Sequence, residues 1–260
     1  MRKMIRLIWN RLSPAVRNRL INYCRSGMTE ADKFRLGLPT ISGLLAKIGE
    51  NGFIPLTVID VGANVGDWSR TVSSVFTSSQ VLMIDGDPDN GAALRATISE
   101  IGNRAKYTIA LLGPEERDAV MFHRLGTGSS ILPELTSFAR ETIEIPMSTL
   151  DRVTEGMELP VPLLLKLDVQ GFELEVLKGA TRILELSEVV IMEVSLLPYN
   201  EGSPLFAEVV DFMSQRGFVV FDFCGQLRRE TDSTLFQTDV VFVRHDSHLR
   251  AKRKFWLHEP

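Results

Sequence analysis

From residue 56 onward, short unbroken apolar runs alternate with stretches whose apolar positions recur at helical spacing. The runs at 56–61, 80–84, 106–112, 161–167, 189–194, 218–223 and 239–243 predict strands covered on both faces. Between them, 68–76, 90–101, 173–184 and 206–216 predict helices, the second opened by Asp87-Pro88. Two less apolar segments, 119–125 and 142–147, predict further strands. Strands alternating with helices imply an α/β fold with a doubly wound, mostly parallel sheet. The last two runs are joined by a loop alone, which predicts an antiparallel closing pair.

The N-terminal region has a different pattern. Ile5, Ile8, Trp9 and Leu12 share one helical stripe, and Ala15, Val16, Leu20 and Tyr23 share a second after Ser13-Pro14. Residues 1–25 carry seven Lys or Arg and no acid, and residues 244–260 carry five bases against two acids. The span between them holds 17 bases and 31 acids. An acidic body argues against a broad nucleic-acid-binding face. The basic N-terminal helices have two readings: packing on the domain surface, or peripheral contact with an anionic membrane.

Composition narrows the class further. Of 260 residues, 44% are hydrophobic and 24% charged, which is globular and excludes collagenous and disordered chains. Cys24 and Cys224 are the only cysteines and have no metal-ligand spacing, so a reducing, cytoplasmic setting is expected. No apolar run approaches the length of a membrane span. Arg6 and Arg11 interrupt the apolar residues after Arg2-Lys3, so a signal-peptide core is not expected.

Three segments carry candidate chemistry. In Val58-Ile59-Asp60-Val61-Gly62-Ala63-Asn64-Val65-Gly66, a buried strand runs into a small-residue loop that opens a helix. Gly62 and Gly66 allow a tight turn and a close backbone approach to a ligand. The middle glycine of a dinucleotide loop is replaced by Asn64, which disfavours a nicotinamide enzyme, and Asp60 suits a ligand bearing an ammonium. At the end of the next strand stands Asp85, 23 residues beyond Gly62, where an acid can accept ribose hydroxyls. Asp87 is read equally well as a helix cap. The third segment, Lys166-Leu167-Asp168-Val169-Gln170-Gly171-Phe172-Glu173, places Lys166 and Asp168 at the carboxyl end of an apolar strand. Charges there are costly unless paired or functional. Glu173 and Glu175 have first-turn capping as their default role. His123 is the only histidine outside the C-terminal tail and is a weaker candidate. Ser129, Ser130, Tyr199 and Asn200 fall in loops near the expected site, and no metal-ligand spacing is present.

These segments, with Val190-Ile191-Met192-Glu193-Val194-Ser195, Ile145–Asp151 and Thr238–Val243, resemble the FkbM-type family of S-adenosylmethionine-dependent methyltransferases over about residues 56–244. The resemblance implies a seven-stranded class I methyltransferase sheet, Rossmann-like, in a domain spanning 51–244. A basic helical extension (1–50) precedes it and a basic tail (245–260) follows. It implies S-adenosylmethionine as cofactor, with Asp60, Gly62, Ala63, Asn64 and Gly66 around its methionine half and Asp85 on its ribose. Asp168, and second Glu193, are the expected groups for orienting or deprotonating an acceptor. That acceptor is expected to be a sugar, glycan or natural-product hydroxyl, methylated in line. The alternative is a module that binds the donor without turning it over, which would show Asp168 walled off from the donor site. Gly86 stands where the family usually has proline, and Gln170 where its Asp-Val-Glu-Gly has glutamate.

Overall fold

A computed structural model describes residues 40–133, 135 and 140–251. The basic helices expected within residues 1–25 lie outside these. The described chain runs α1 (Ile41–Glu50), β1 (Thr57–Val61), α2 (Asp67–Val75), β2 (Gln80–Asp85), α3 (Gly91–Ile101), β3 (Ala105–Ile109), β4 (Leu111–Leu112), β5 (Arg117–Arg124) and β6 (Glu141–Ser148). It continues with α4 (Leu150–Val153), β7 (Leu163–Leu167), α5 (Glu173–Lys178), α6 (Thr181–Leu186), β8 (Ser187–Ser195), α7 (Phe206–Ser214), β9 (Phe218–Arg228) and β10 (Leu235–Arg244).

Seven strands form one sheet in the order β3-β2-β1-β7-β8-β10-β9. The first five are mutually parallel, and β10 runs antiparallel to both β8 and β9. The order reverses between β1 and β7, so their carboxyl ends flank a topological switch point. The expected class I methyltransferase sheet and its antiparallel closing pair are therefore present.

The two faces of the sheet are covered by different helices. Ile59, Val61, Leu165, Leu167, Val190 and Met192 pack against α4–α7. Val58, Met83, Leu164, Ile191 and Val241 pack against α1–α3, where Leu44, Leu45 and Ile48 of α1 are fully buried. Leu249, beyond the last strand, joins that second cluster.

Three details differ from the sequence expectation. The run 106–112 is not one strand. The Ala110 N–H makes the last bond of the β2–β3 ladder, to the Asp85 carbonyl (2.8 Å), and Leu111-Leu112 pair instead with Met147-Ser148. The two extra strands, β5 and β6, thus join β4 in a separate three-stranded sheet with Leu111, Phe122 and Met147 as its core. The expected helix 173–184 breaks at Gly179, where a Cβ would lie 2.2 Å from the Gly113 carbonyl oxygen. Asp151 then caps the second piece, its carboxylate accepting from the N–H groups of Arg182 (2.9 Å) and Ile183 (3.1 Å).

Candidate active site

The loop after β1 is built on left-handed backbone at Gly62 (φ 75°), Asn64 (φ 48°) and Gly66 (φ 88°). A Cβ on Gly62 would lie 1.8 Å from the Asp168 carbonyl oxygen, so this glycine lets the ends of β1 and β7 touch. Gly66 faces Thr97 of α3, whose Oγ1 would be 2.5 Å from an added Cβ. Both glycines therefore make room for protein rather than directly for a ligand. Ala63 is buried in the core beneath the loop.

Asp85 closes the loop from the neighbouring strand. One carboxylate oxygen accepts from the Asn64 N–H (2.6 Å), the other from the Asp87 N–H (2.8 Å) and the Asn90 amide (2.9 Å). A carboxylate offers about four lone-pair sites, so one remains for an outside donor. Burial raises the Asp85 carboxyl above its ordinary value, against the opposing pull of these three hydrogen bonds. Asp87 does cap the turn that follows, accepting from the Asp89 N–H. It also pairs with Arg124 of β5 (2.9 Å), which binds Asp89 and Glu141 as well. Arg124 therefore ties the small sheet to the Asp85 loop.

Between these two parts lies a cleft of about 570 Å³, including the solvent at its mouth. Gly62, Asn64, Asp85, Gly86 and Asn90 line it together with Asp168 and Val169. Leu111, Phe122, Ile131 and Phe172 supply apolar walls, and residues 126–130 form part of the rim. Ser129 and Ser130 are among the lining residues; His123 is not, and its ring meets Thr142 (3.0 Å) instead.

Asp60 does not reach this cleft. It is fully buried, with one oxygen accepting from the Ser69 hydroxyl (2.6 Å) and the other 3.9 Å from Lys166 Nζ. Burial raises its carboxyl, with Lys166 opposing. Lys166 also binds Asp168 Oδ2 (2.9 Å) and sits 5.9 Å from the centre of the Trp68 ring. Burial alone would lower the Lys166 ammonium pKa, but Asp168 and Asp60 override it and hold it above the ordinary value. The structural pairing of Lys166 with Asp168 is real, yet the Asp168 side chain keeps 32% of its surface exposed.

Glu193, the second expected group, is not among the residues lining the cleft, and Gln237, one of the two amides that hold it, was not singled out by the sequence. Gln170, held at φ 56°, uses one amide nitrogen to donate to both Asp168 Oδ1 (2.9 Å) and Glu193 Oε2 (2.9 Å). Gln237 of β10 donates to the same Glu193 oxygen (3.0 Å). The Gln170 carbonyl in turn accepts from Asn200 (2.5 Å) and Ser130 (3.0 Å), which fastens the left-handed turn. Glu173 bends back to accept from the N–H groups of Val169 (2.9 Å) and Gly171 (3.2 Å), bracing that turn beyond a simple first-turn cap. Burial pushes Glu173 up to about 7 and Asp239 of β10 likewise to about 7. Glu193 is raised well above the usual carboxylate range by burial and then by the nearby charges of Asp168, Glu173 and Asp239. Among the described residues, no His, Cys, Asp and Glu side chains are grouped to hold a metal ion.

The site thus combines a cleft bordered by Asp85 with a line of carboxylates around one lysine, both at the switch point of a doubly wound sheet. The chain is 29% identical over 138 residues to the hexuronic acid methyltransferase AglP of Haloferax volcanii, covering 52% of this chain and 54% of that protein. It therefore spans about half the length of that curated relative. Among solved structures, it is similar to magnesium protoporphyrin IX methyltransferase (ChlM) of Synechocystis PCC 6803 with bound SAM (12% identity, 78% and 76% of the two chains, TM-score 0.45). It is also similar to an O-methyltransferase family protein of Burkholderia thailandensis (14% identity, 83% and 58%, TM-score 0.45). Residues 60–220 match the family model for the methyltransferase FkbM domain. That match starts at the end of β1, takes in β7, β8 and most of the carboxylate edge, and by it the chain belongs to the FkbM methyltransferase family.

Proposed function

We propose that the protein transfers a methyl group from S-adenosylmethionine to a hydroxyl of a sugar-type acceptor. The observation that carries this reading is a single cleft lined by both Asp85 and Asp168. The residues present fit such a donor. The free acceptor site on Asp85 suits a ribose hydroxyl, the apolar walls suit an adenine, and the acidic end suits a sulfonium and an ammonium. Gly62 and Asn64 line the donor's path, whereas Ala63, Gly66 and Asp60 act from behind, by shaping the loop and holding Lys166. Asp168 opens onto the cleft and is not walled off, which favours turnover over a module that only binds.

When bound, the donor supplies an activated methyl on a good leaving group. The protein's task is then chiefly to bring the acceptor oxygen into line and contact, a positional effect that can supply ~7–11 kcal/mol. Asp168, oriented by Lys166 and Gln170, is the group to steer the hydroxyl. The sugar acceptor is supported by the likeness to a hexuronic acid methyltransferase. Calorimetry with S-adenosylmethionine, its demethylated product and NAD tests the donor. We expect saturable binding of the first two, none of NAD, and a loss of about 10–100-fold in Asp85→Ala, as removal of charge-assisted hydrogen bonds predicts. A well-folded protein that binds neither methyl donor nor product sinks this reading. A screen of neutral and acidic glycosides with labelled donor then tests the acceptor, the label appearing as an alkali-stable ether if the target is a hydroxyl.

A further inference from the structure

A hydroxyl that receives a methyl group must lose its proton, and the geometry bears on where that proton goes. Both oxygens of Asp168 already accept hydrogen bonds, one from Lys166 and one from Gln170. On Glu193 the two amide donors, from Gln170 and Gln237, converge on Oε2 and leave Oε1 without a hydrogen bond among the described residues. Asp239 stands directly opposite Glu193 in the β8–β10 ladder. Its carboxylate has no hydrogen-bond partner among the described residues and occupies space that only a glycine at 225 permits. A Cβ there would lie 1.9 Å from Asp239 Oδ2.

We propose that Glu193, through Oε1 and with Asp239 behind it, holds the proton released by the acceptor, and that the positive charge of the bound donor empties this pair beforehand. The inference rests on the donor reading above. In the balanced step the acceptor O–H and the donor S–CH3 bonds break, the O–CH3 bond forms, sulfur keeps the electron pair, and the proton remains to be held. The same step removes the cationic charge from sulfur. The carboxylates therefore become better proton acceptors at the moment a proton must be stored.

The charges facing the pair come from the strand and helix packed beside it. They are Lys166 and Asp168 at the end of β7 and Glu173 from α5, with the Cys224 thiol on β9 opposite Asp239. One lysine against so many acids leaves the cluster poised to share protons, so its titration belongs to the group as a whole. Burial already lifts Glu193 above its ordinary range and Asp239 to about 7.

The test needs no acceptor. Binding of S-adenosylmethionine and of its demethylated product is measured at pH 7 in buffers of different ionisation enthalpy, which yields the protons released by each. The two ligands differ in the sulfonium charge, and a cation within about 6 Å lowers a carboxylate pKa by roughly 1–3 units. The wild type is therefore expected to release about 0.4 of a proton or more in excess with the methylated ligand. Glu193→Gln and Asp239→Asn should each reduce that excess while still binding both ligands. Equal release from both ligands in the wild type, or an excess unchanged in both variants, overturns the proposal. Absence of binding by either ligand overturns the donor reading instead, and this inference with it. If one variant does not fold, the other still decides.

Discussion

The two faces of the central sheet share their strands but not their chemistry. On the face toward α4–α7, side chains stay apolar at the ends of β1 and β7 and into β8 and β10, as in Ile59, Val61, Leu165, Leu167, Met192 and Val240, with Thr238 the polar exception on β10. On the face toward α1–α3, the same strands begin apolar with Val58, Leu164, Ile191 and Val241, then turn charged at one edge. Asp60, Lys166 and Glu193 follow those residues by two positions, Asp85 follows Met83 in the same way, and Asp239 on the antiparallel β10 precedes Val241 by two. Because side chains alternate along a strand, one parity places all of them on one face. One face is thus given over to packing and the other bears the chemistry, at the edge where the loops open the cleft.

The largest effect expected from probing this contrast is at Lys166. Lys166→Met removes the cation from the fully buried Asp60, and breaking a buried pair costs about 3–5 kcal/mol. Leu165→Ala on the opposite face should cost a similar ~2–5 kcal/mol through a cavity. The pH dependence separates them. In Lys166→Met the Asp60 carboxyl stands further above its unfolded value of 3.8. Its stability should be best preserved below about pH 4 and lost as pH rises through the folded value, whereas the Leu165→Ala deficit stays flat with pH. Denaturant titrations at several pH values measure both.

Gly62→Ala should come next. It combines a steric clash with the Asp168 carbonyl and a left-handed φ, for about 2–4 kcal/mol in all. Gly126→Ala shares the positive φ but meets nothing within 4 Å, so about 1 kcal/mol is expected. Thermal unfolding of the two variants compares a glycine needed for contact with one needed only for its backbone angle.

A smaller effect is expected at Glu173. Its folded-state pKa of about 7 lies above its ordinary 4.5. Its contribution is therefore fully favourable below about 4.5 and is lost as pH rises to about 7, by up to ~3 kcal/mol. Glu173→Gln keeps an oxygen for the Val169 and Gly171 N–H groups and should flatten that part of the stability–pH curve. The smallest effect is at His123, where His123→Ala should stay within about 0.5 kcal/mol and leave donor binding unchanged. A loss of donor binding there would move the site toward the small sheet.

Much of the fold was legible because buried parallel strands write themselves as continuous apolar runs. The 161–167 run and β7 illustrate this, as do the closing runs and the antiparallel β9–β10 pair. The run at 106–112 misled for the same reason. Apolar character marks burial, and burial does not say that Leu111 and Leu112 belong to a second sheet. Helix 173–184 was read through its break because Gly179 is a modest penalty locally; the decisive contact, with Gly113, is 66 residues away. Within the site, Asp85 and Asp168 stood out as acids after apolar runs and do line the cleft. Asp60 bears the same signature but lies wholly in the interior, since strand-end position alone does not tell a lining residue from one behind it.

The sequence by itself determined the doubly wound class and the acids at the strand ends, both of which depend on local periodicity. Only the tertiary structure decided that Gln170 and Gln237, from opposite ends of the domain's second half, meet on one oxygen of Glu193. Only it decided that the small sheet reaches over to clasp the Asp85 loop through Arg124. Alternation along a strand is a local rule and can be read from neighbouring residues. Which strand end lies beside which, and whose hydrogen bonds are already taken there, depends on contacts that the chain forms only when the whole sheet has closed.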